Sequence, residues 1–413
     1  MATDPRGSEL ARHWDLDPAV DFLNHGSFGA CPRVVLEAQR ELRQELEAQP
    51  VAFLARRLET RFDAARETLA GFLGARAEDL VVVPNATAGV NTVLRSLDLE
   101  AGDELLTTTH VYNACRNALD FVARDAGARV VAAEEPFPLG NPRQVVEEVL
   151  ERVGPRTRLA LLDHVTSPTG LIFPIAELVA ALAERGVDTL VDGAHAPGML
   201  DLDLDALGAA YYTGNCHKWL CAPKASAFLH VRRDRQDGIE PLVVSHGANL
   251  RRPGRSRFHD AFDWGGTHDP TPFLAVPVAL DTLASLVPGG WPEVRRRNHA
   301  LALAGRKILC RALGAEPPHG ETPSPESMIG SLAAVRLPDG AGPSTPNPLR
   351  TDPLQQRLVE EHGIEVPIFH WDSRRWLRIS AQLYNDEAQY ERLAAALAAL
   401  LEDEALSRAR NAS

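Results

Sequence analysis

Between Leu80 and Val231 the apolar residues fall into two alternating patterns. Short dense runs of Leu, Val and Ala are separated by longer stretches in which apolar positions recur every third or fourth residue. The first pattern reads as buried strand and the second as amphipathic helix. The spacing predicts strands over 80–83, 104–107, 129–132, 159–163 and 187–191, a run before residue 215, and 225–231. Helices are predicted over 90–97, 113–126, 142–153 and 174–185. Such alternation predicts an α/β fold with a mainly parallel sheet and helices on both faces. Ahead of it, helices are predicted from Pro32 to Ala48 and from Leu58 to the stop at Gly74.

After Val231 the rhythm changes. A loop carries Arg251, Arg252, Arg255 and Arg257, and reads as a solvated charged loop, a subunit contact or a substrate gate. Helices are predicted over 273–286 and 291–313, proline-rich loops over 316–325 and 340–350, and a strand over 329–337. A helix started by Asp352-Pro353 runs to His362, a strand covers 376–380 and a closing helix 386–401. This third of the chain reads as a separate small α/β lobe. The predicted division is 1–57 as a segment serving the active site and small domain, 58–287 as the large domain and 288–413 as the small one.

Composition narrows the function. A chain of 413 residues exceeds what one core usually supports. A net charge of -13 argues against nucleic acid or an anionic membrane as partner. No run of about 18 apolar residues and no leader-like start is found, which predicts a cytoplasmic address. The five cysteines are scattered without a CxxC pair, so buried reduced thiols are expected. Asp201, Asp203 and Asp205 suggest a calcium loop, but its glycine and final carboxylate positions hold Ala206 and Tyr212. No metal site is expected. Neither GxGxxG nor a phosphate-binding GxxxxGK[ST] loop occurs, which removes the main support for a nucleotide enzyme.

Ligands of open α/β sheets bind beyond the carboxyl ends of the strands. Those ends carry Thr87, His110, Tyr112, His164, Ser167, Asp192, His195 and Lys218. A single strand-end lysine is ordinarily a surface charge. Paired with a strand-end aspartate it suits pyridoxal phosphate (PLP): the amine holds the aldehyde carbon, and the carboxylate keeps the pyridine nitrogen protonated. The small residues Ala86-Thr87-Ala88-Gly89 would let backbone amides approach a phosphate at a helix start. The loop Asp21–Gly29 is either a plain turn or part of an active-site lining.

Eight ordered segments carry a family resemblance: NHGSFGACP (24–32), NATAGVNTVL (85–94), THVYNACRNAL (109–119), DHVTSPTGL (163–171), VDGAHAPG (191–198), TGNCHKWLCAPK (213–224), WGGTHDP (264–270) and LRISAQLYN (377–385). The chain resembles the class V aminotransferase family of fold-type I PLP-dependent enzymes, in its isopenicillin N epimerase-like branch. The resemblance implies a seven-stranded, mainly parallel large domain, a smaller C-terminal α/β domain, and a homodimer with composite active sites. It implies that Lys218 carries PLP and moves the Cα proton, and that Asp192 pairs with the ring nitrogen. His110 would stack on the ring with Tyr112 nearby, and Ser167 and His195 would sit by the phenolic oxygen. Thr87, Ala88, Asn215 and His217 would hold the phosphate, joined by Thr267 of the partner subunit. Arg378 would clamp the substrate carboxylate, with Asn24 and His25 lining the substrate side.

The family's cysteine desulfurases carry a nucleophilic cysteine ahead of this arginine. Here Glu361 to Trp376 contains none, which argues against a persulfide mechanism and leaves Val366–Trp371 as an apolar wall. The expected reaction at Cα is, in order, epimerisation, β-elimination from a cysteine conjugate, or transamination. A PLP-binding scaffold without turnover is disfavoured by Lys218 and Asp192. Epimerisation needs a second acid opposite Lys218, for which His110, Tyr112 and His25 are candidates.

Overall fold

A computed structural model describes residues 6–134, 137–314, 324–339 and 352–412. The expected loop 340–350 and most of 316–325 lie outside these described residues. The alternating segment forms one seven-stranded sheet from β1 (Leu80–Val83), β2 (Glu104–Thr108), β3 (Arg129–Ala133), β4 (Thr157–Asp163), β5 (Asp188–Asp192), β6 (Tyr211–Asn215) and β7 (Ala227–Val231). Their spatial order is β1-β7-β6-β5-β4-β2-β3. The run from β6 to β3 is parallel, while β7 and β1 join antiparallel at one edge. All five residues of β2, β6 and β7 are buried, so both faces of these strands are covered.

Two apolar layers cover the sheet. One face packs against α1 (Arg33–Ala48) and α2 (Leu58–Leu73) through Val35, Phe62 and Leu69. The other packs against α3 (Ala86–Arg95) and α4 (Asn113–Ala126) through Val90, Val93, Cys115 and Leu119. A separate core, with Leu309, Leu358, Leu377 and Leu397, lies in the C-terminal lobe. There β8 (Leu332–Arg336), β9 (Ile368–Trp371) and β10 (Arg374–Ser380) form an antiparallel sheet in the order β9-β10-β8. Asp21–Phe22 pairs in parallel with Ile364–Glu365, so the N-terminal strand segment joins this lobe. Among the described residues no single helix is long and apolar enough to cross a membrane.

Two departures from the sequence pattern have local causes. α3 begins at Ala86, four positions before the apolar periodicity that predicts it. Asn85 caps it, its side-chain oxygen accepting the Ala88 N–H at 2.8 Å, so part of the expected turn is helix. The arginine-bearing loop is an ion-pair lattice: Arg252 pairs with Glu59 and Asp260, and Arg255 with Asp63 and Asp263. It fastens residues 251–257 to α2 and to the helix Arg257–Phe262. The three aspartates near residue 203 are also occupied, Asp203 as a helix cap and Asp201 as the partner of Arg295. All five cysteines are buried and none is in a disulfide.

Candidate active site

β5 ends on Asp192, 3% exposed, and β6 ends just before Lys218, so adjacent parallel strands deliver both to one end of the sheet. The Lys218 amine is pushed down to about 8, first by burial and then by the Arg378 cation, with Asp192 pulling the other way. Burial pushes the Asp192 carboxyl up, because the Cys115 thiol, the Ala194 N–H and Lys218 compensate only in part. Its Oδ1 accepts the Ala194 N–H at 3.0 Å and its Oδ2 accepts the Cys115 thiol at 3.2 Å. A buried carboxylate whose donors are an amide and a weak thiol lacks the cation that would stabilise it. A pyridinium nitrogen is such a cation, and a lysine of reduced basicity is the matching nucleophile, so the donor set fits PLP.

Arg378 rises from β10 into the same space and is 5% exposed. Its guanidinium donates to the Ser167 carbonyl and, at 3.4 Å, to the Ser167 and Ser27 hydroxyls. Its Nε has no hydrogen-bond partner, and no carboxylate pairs with it among the described residues. Burial pushes it down to about 10, opposed by Tyr112. The neighbouring Arg375 shows the alternative: it is held by Asp352 and Glu404. A buried guanidinium without an anion is a prepared carboxylate site.

His195, 1% exposed, sits against the lysine, with its Nε2 3.1 Å from Lys218 Nζ. Its Nδ1 accepts the Trp219 indole N–H at 3.3 Å. At the start of α3 the Asn215 side-chain oxygen accepts the Ala86 N–H at 2.9 Å. The Ala88 amide is therefore committed to Asn85, and Thr87 keeps the open amide of the turn expected to hold phosphate. His217 donates its Nδ1–H to the Ser226 carbonyl at 3.1 Å, and burial lowers it to about 4. Thr267 lies exposed on a surface loop.

Two histidines are held by partners that the sequence does not announce. His110 is fully buried in an aromatic box of Phe137, Phe173 and Trp371, with its Nδ1 2.7 Å from the Thr169 hydroxyl. Tyr112, 44% exposed, instead shares electrostatic contact with Asp192, Cys115 and Arg378, which favours it as the aromatic beside the cofactor. His25 bonds the backbone of the lysine itself. It is fully buried behind the lysine, its Nε2–H donating to the Lys218 carbonyl at 3.0 Å and its Nδ1 accepting the Tyr384 hydroxyl at 2.9 Å. Asn24 bonds Ser27 and Glu365. The 24–29 segment, expected as a loop, forms a helical turn over His25–Phe28 and holds the lysine backbone in place. At Gly29, φ is +59° and a Cβ would lie 2.4 Å from the His217 carbonyl, so only glycine lets the loop approach.

Sequence reasoning missed Cys115 and Trp219. Both lie inside the quoted motifs, but neither has a spacing that signals chemistry, since their roles depend on a strand folded beside them.

Comparison with known proteins identifies the family. The sequence profile described as "Aminotransferase class-V" matches residues 22–283. Isopenicillin N epimerase of Amycolatopsis lactamdurans is 40% identical over 92% of this chain and 95% of its own. A putative L-cysteine desulfhydrase of Oryza sativa subsp. japonica is 31% identical over 94% of this chain and 84% of its own. The solved cystine C–S lyase C-DES, in complex with cysteine persulfide, superposes with a TM-score of 0.74, covering 92% of this chain and 97% of its own; at 22% identity that likeness concerns the fold. With a profile match over more than half its length and relatives aligned end to end, the chain belongs to the class-V aminotransferase family of PLP-dependent, fold-type I enzymes.

Proposed function

We propose that the protein epimerises an amino acid, or a molecule with a free amino-acid end, at Cα. The observation that carries this reading is the buried Arg378 with no anion, set within electrostatic reach of a lysine of reduced basicity. An α-carboxylate on Arg378 would present the amino and Cα–H groups toward Lys218, which then takes or returns the Cα proton. Bound PLP supplies the electron sink for the bond broken at Cα. Lys218 and Asp192 would hold it, with His195 and Ser167 near its phenolic oxygen and Thr87, Asn215 and His217 around its phosphate.

Inversion needs a proton from the side opposite Lys218. Of the three candidates, His25 is committed to the lysine carbonyl and His110 to its aromatic box. Tyr112 is raised, first by burial and also by the nearby Asp192, so its hydroxyl is protonated and suited to donate. We assign it the second acid. The epimerase reading has further support in the 40% and 36% identical relatives, both named isopenicillin N epimerase.

A β-elimination reading has its own support in the L-cysteine desulfhydrases of about the 30% identity range. Incubation with candidate amino acids in D₂O separates the outcomes. Deuterium at Cα with inversion is expected for the epimerase. Release of pyruvate and ammonia without inversion would replace it with a lyase, and dependence on an added oxo acid with a transaminase. Lys218→Ala is expected to abolish both the visible cofactor band and turnover; a variant keeping both would end the assignment.

We further propose a homodimer in which Thr267 reaches the partner's phosphate site. Thr267 is exposed in its own protomer, and Val243 and Val244 beside its loop are 59% and 65% exposed.

A further inference from the structure

The Trp219 indole N–H can only donate. It points at His195 Nδ1 at 3.3 Å, so that nitrogen must offer its lone pair. His195 is fully surrounded by protein, and burial together with Lys218, Arg378, His25 and His217 keeps it far below the usual histidine range, hence neutral. A neutral ring with a bare Nδ1 carries its single proton on Nε2. That N–H faces Lys218 Nζ at 3.1 Å, so this contact is a hydrogen bond only when the amine is neutral and accepts. We infer that Trp219 is a positioning residue for the Lys218 amine: it locks His195 in the tautomer that donates to the amine and so favours the neutral nucleophile.

The surroundings allow this. Arg378 disfavours an ammonium at Lys218, whereas Asp192, Cys115 and Asp163 favour it. These opposing charges leave the balance to the nearest contact, and that contact is His195. A ring free to flip its proton to Nδ1 would expose an Nε2 lone pair, which binds and stabilises the ammonium instead. The indole N–H forbids that arrangement. Trp219 is itself 1% exposed and its position is fixed by the core on both sides, including the His25 ring at 4.8 Å.

Two measurements test the inference. In the holoenzyme labelled with [¹⁵N]histidine, the ring signals lost in His195→Gln identify this residue. They are expected to show Nδ1 bare and Nε2 protonated; the opposite tautomer, or a doubly protonated ring, would overturn the proposal. The second measurement rests on Lys218 being the cofactor lysine. The cofactor-stripped chain is mixed with PLP, and the rate at which the visible band appears is followed against pH. Its midpoint should lie near the lowered value of about 8. Trp219→Phe is expected to raise it by about one unit, a tenfold drop in neutral amine at a given pH. In a His195→Leu background the same substitution should do nothing, because an apolar side chain offers the indole nothing to orient. An equal shift in both backgrounds would reduce Trp219 to packing, and no shift in either would refute its role. If Trp219→Phe fails to fold, the histidine signals still decide. A wild-type chain that forms no band at any pH would sink the lysine assignment and leave the tautomer result standing.

Discussion

Arg378 and Arg375 lie on one strand, and both are nearly inaccessible to solvent. Two carboxylates neutralise Arg375 within the fold. Arg378 has only a carbonyl and two hydroxyls, and its cation is left for something that arrives from outside. Arg378→Lys keeps the charge but loses the planar fork, and kcat/KM for a free amino acid should fall about 10- to 100-fold, equivalent to roughly 1.5–3 kcal/mol for charge-assisted hydrogen bonds. The corresponding amino-acid amide, lacking the carboxylate, should be little affected. An equal loss on both substrates would make Arg378 a packing residue. Cys115 allows a second comparison at this scale. Cys115→Ser should retain the donor to Asp192, whereas Cys115→Ala should leave the carboxylate more basic and move the pH midpoint of the holoenzyme's absorbance upward. Lys218, Asp192 and Arg378 were legible in the sequence because each ends or sits on a strand whose direction the apolar runs reveal. The contacts of His25 with Tyr384 and of His110 with Trp371 were not, because no local spacing announces a contact between remote segments.

At the scale of elements, the phosphate end of the site depends on how closely α3 lies on β6. Gly89 is the reason it can: a Cβ there would lie 2.2 Å from the Thr213 hydroxyl, on the strand that leads to Lys218. Gly89→Val should push α3 off the sheet. Overpacking of this kind costs roughly 1–3 kcal/mol, which a lowered urea midpoint would report. PLP affinity should fall in parallel, since the open Thr87 amide moves with the helix. A destabilised variant with unchanged affinity would show that α3 does not form the phosphate end. The alternation of apolar runs revealed this strand–helix–strand order. The start of α3 was obscured because Asn85 serves as a cap in a segment whose composition reads equally as a turn. The fold class was thus legible from periodicity, whereas the close approach depends on a glycine whose partner lies on a strand far along the chain.

The whole molecule adds a pH dependence and a question of assembly. His25, His164 and His217 are lowered by burial from 6.5 to about 3, 4 and 4. Each is neutral when folded and takes up a proton more readily when unfolded. Their contribution is therefore complete above pH 6.5 and is lost as pH falls from there toward the folded values. The melting temperature should be level between pH 7 and 8 on their account and decline below about pH 6.5. A profile that stays flat to pH 4 would contradict their burial as neutral rings. Assembly can be read from mixed subunits. Thr267→Ala alone should weaken PLP binding roughly fivefold, the worth of about one hydrogen bond. Pairing that variant with Lys218→Ala separates the geometries. If Thr267 acts across the interface, one site of each mixed dimer joins an intact lysine to an intact partner threonine, and recovers native PLP affinity and turnover. The other site carries both lesions. If Thr267 serves its own protomer, every site retains one lesion and mixing restores nothing. The exposed valines beside its loop give that interface an apolar surface to bury, so Val243→Glu should dissociate the dimer and lower PLP affinity at both sites together.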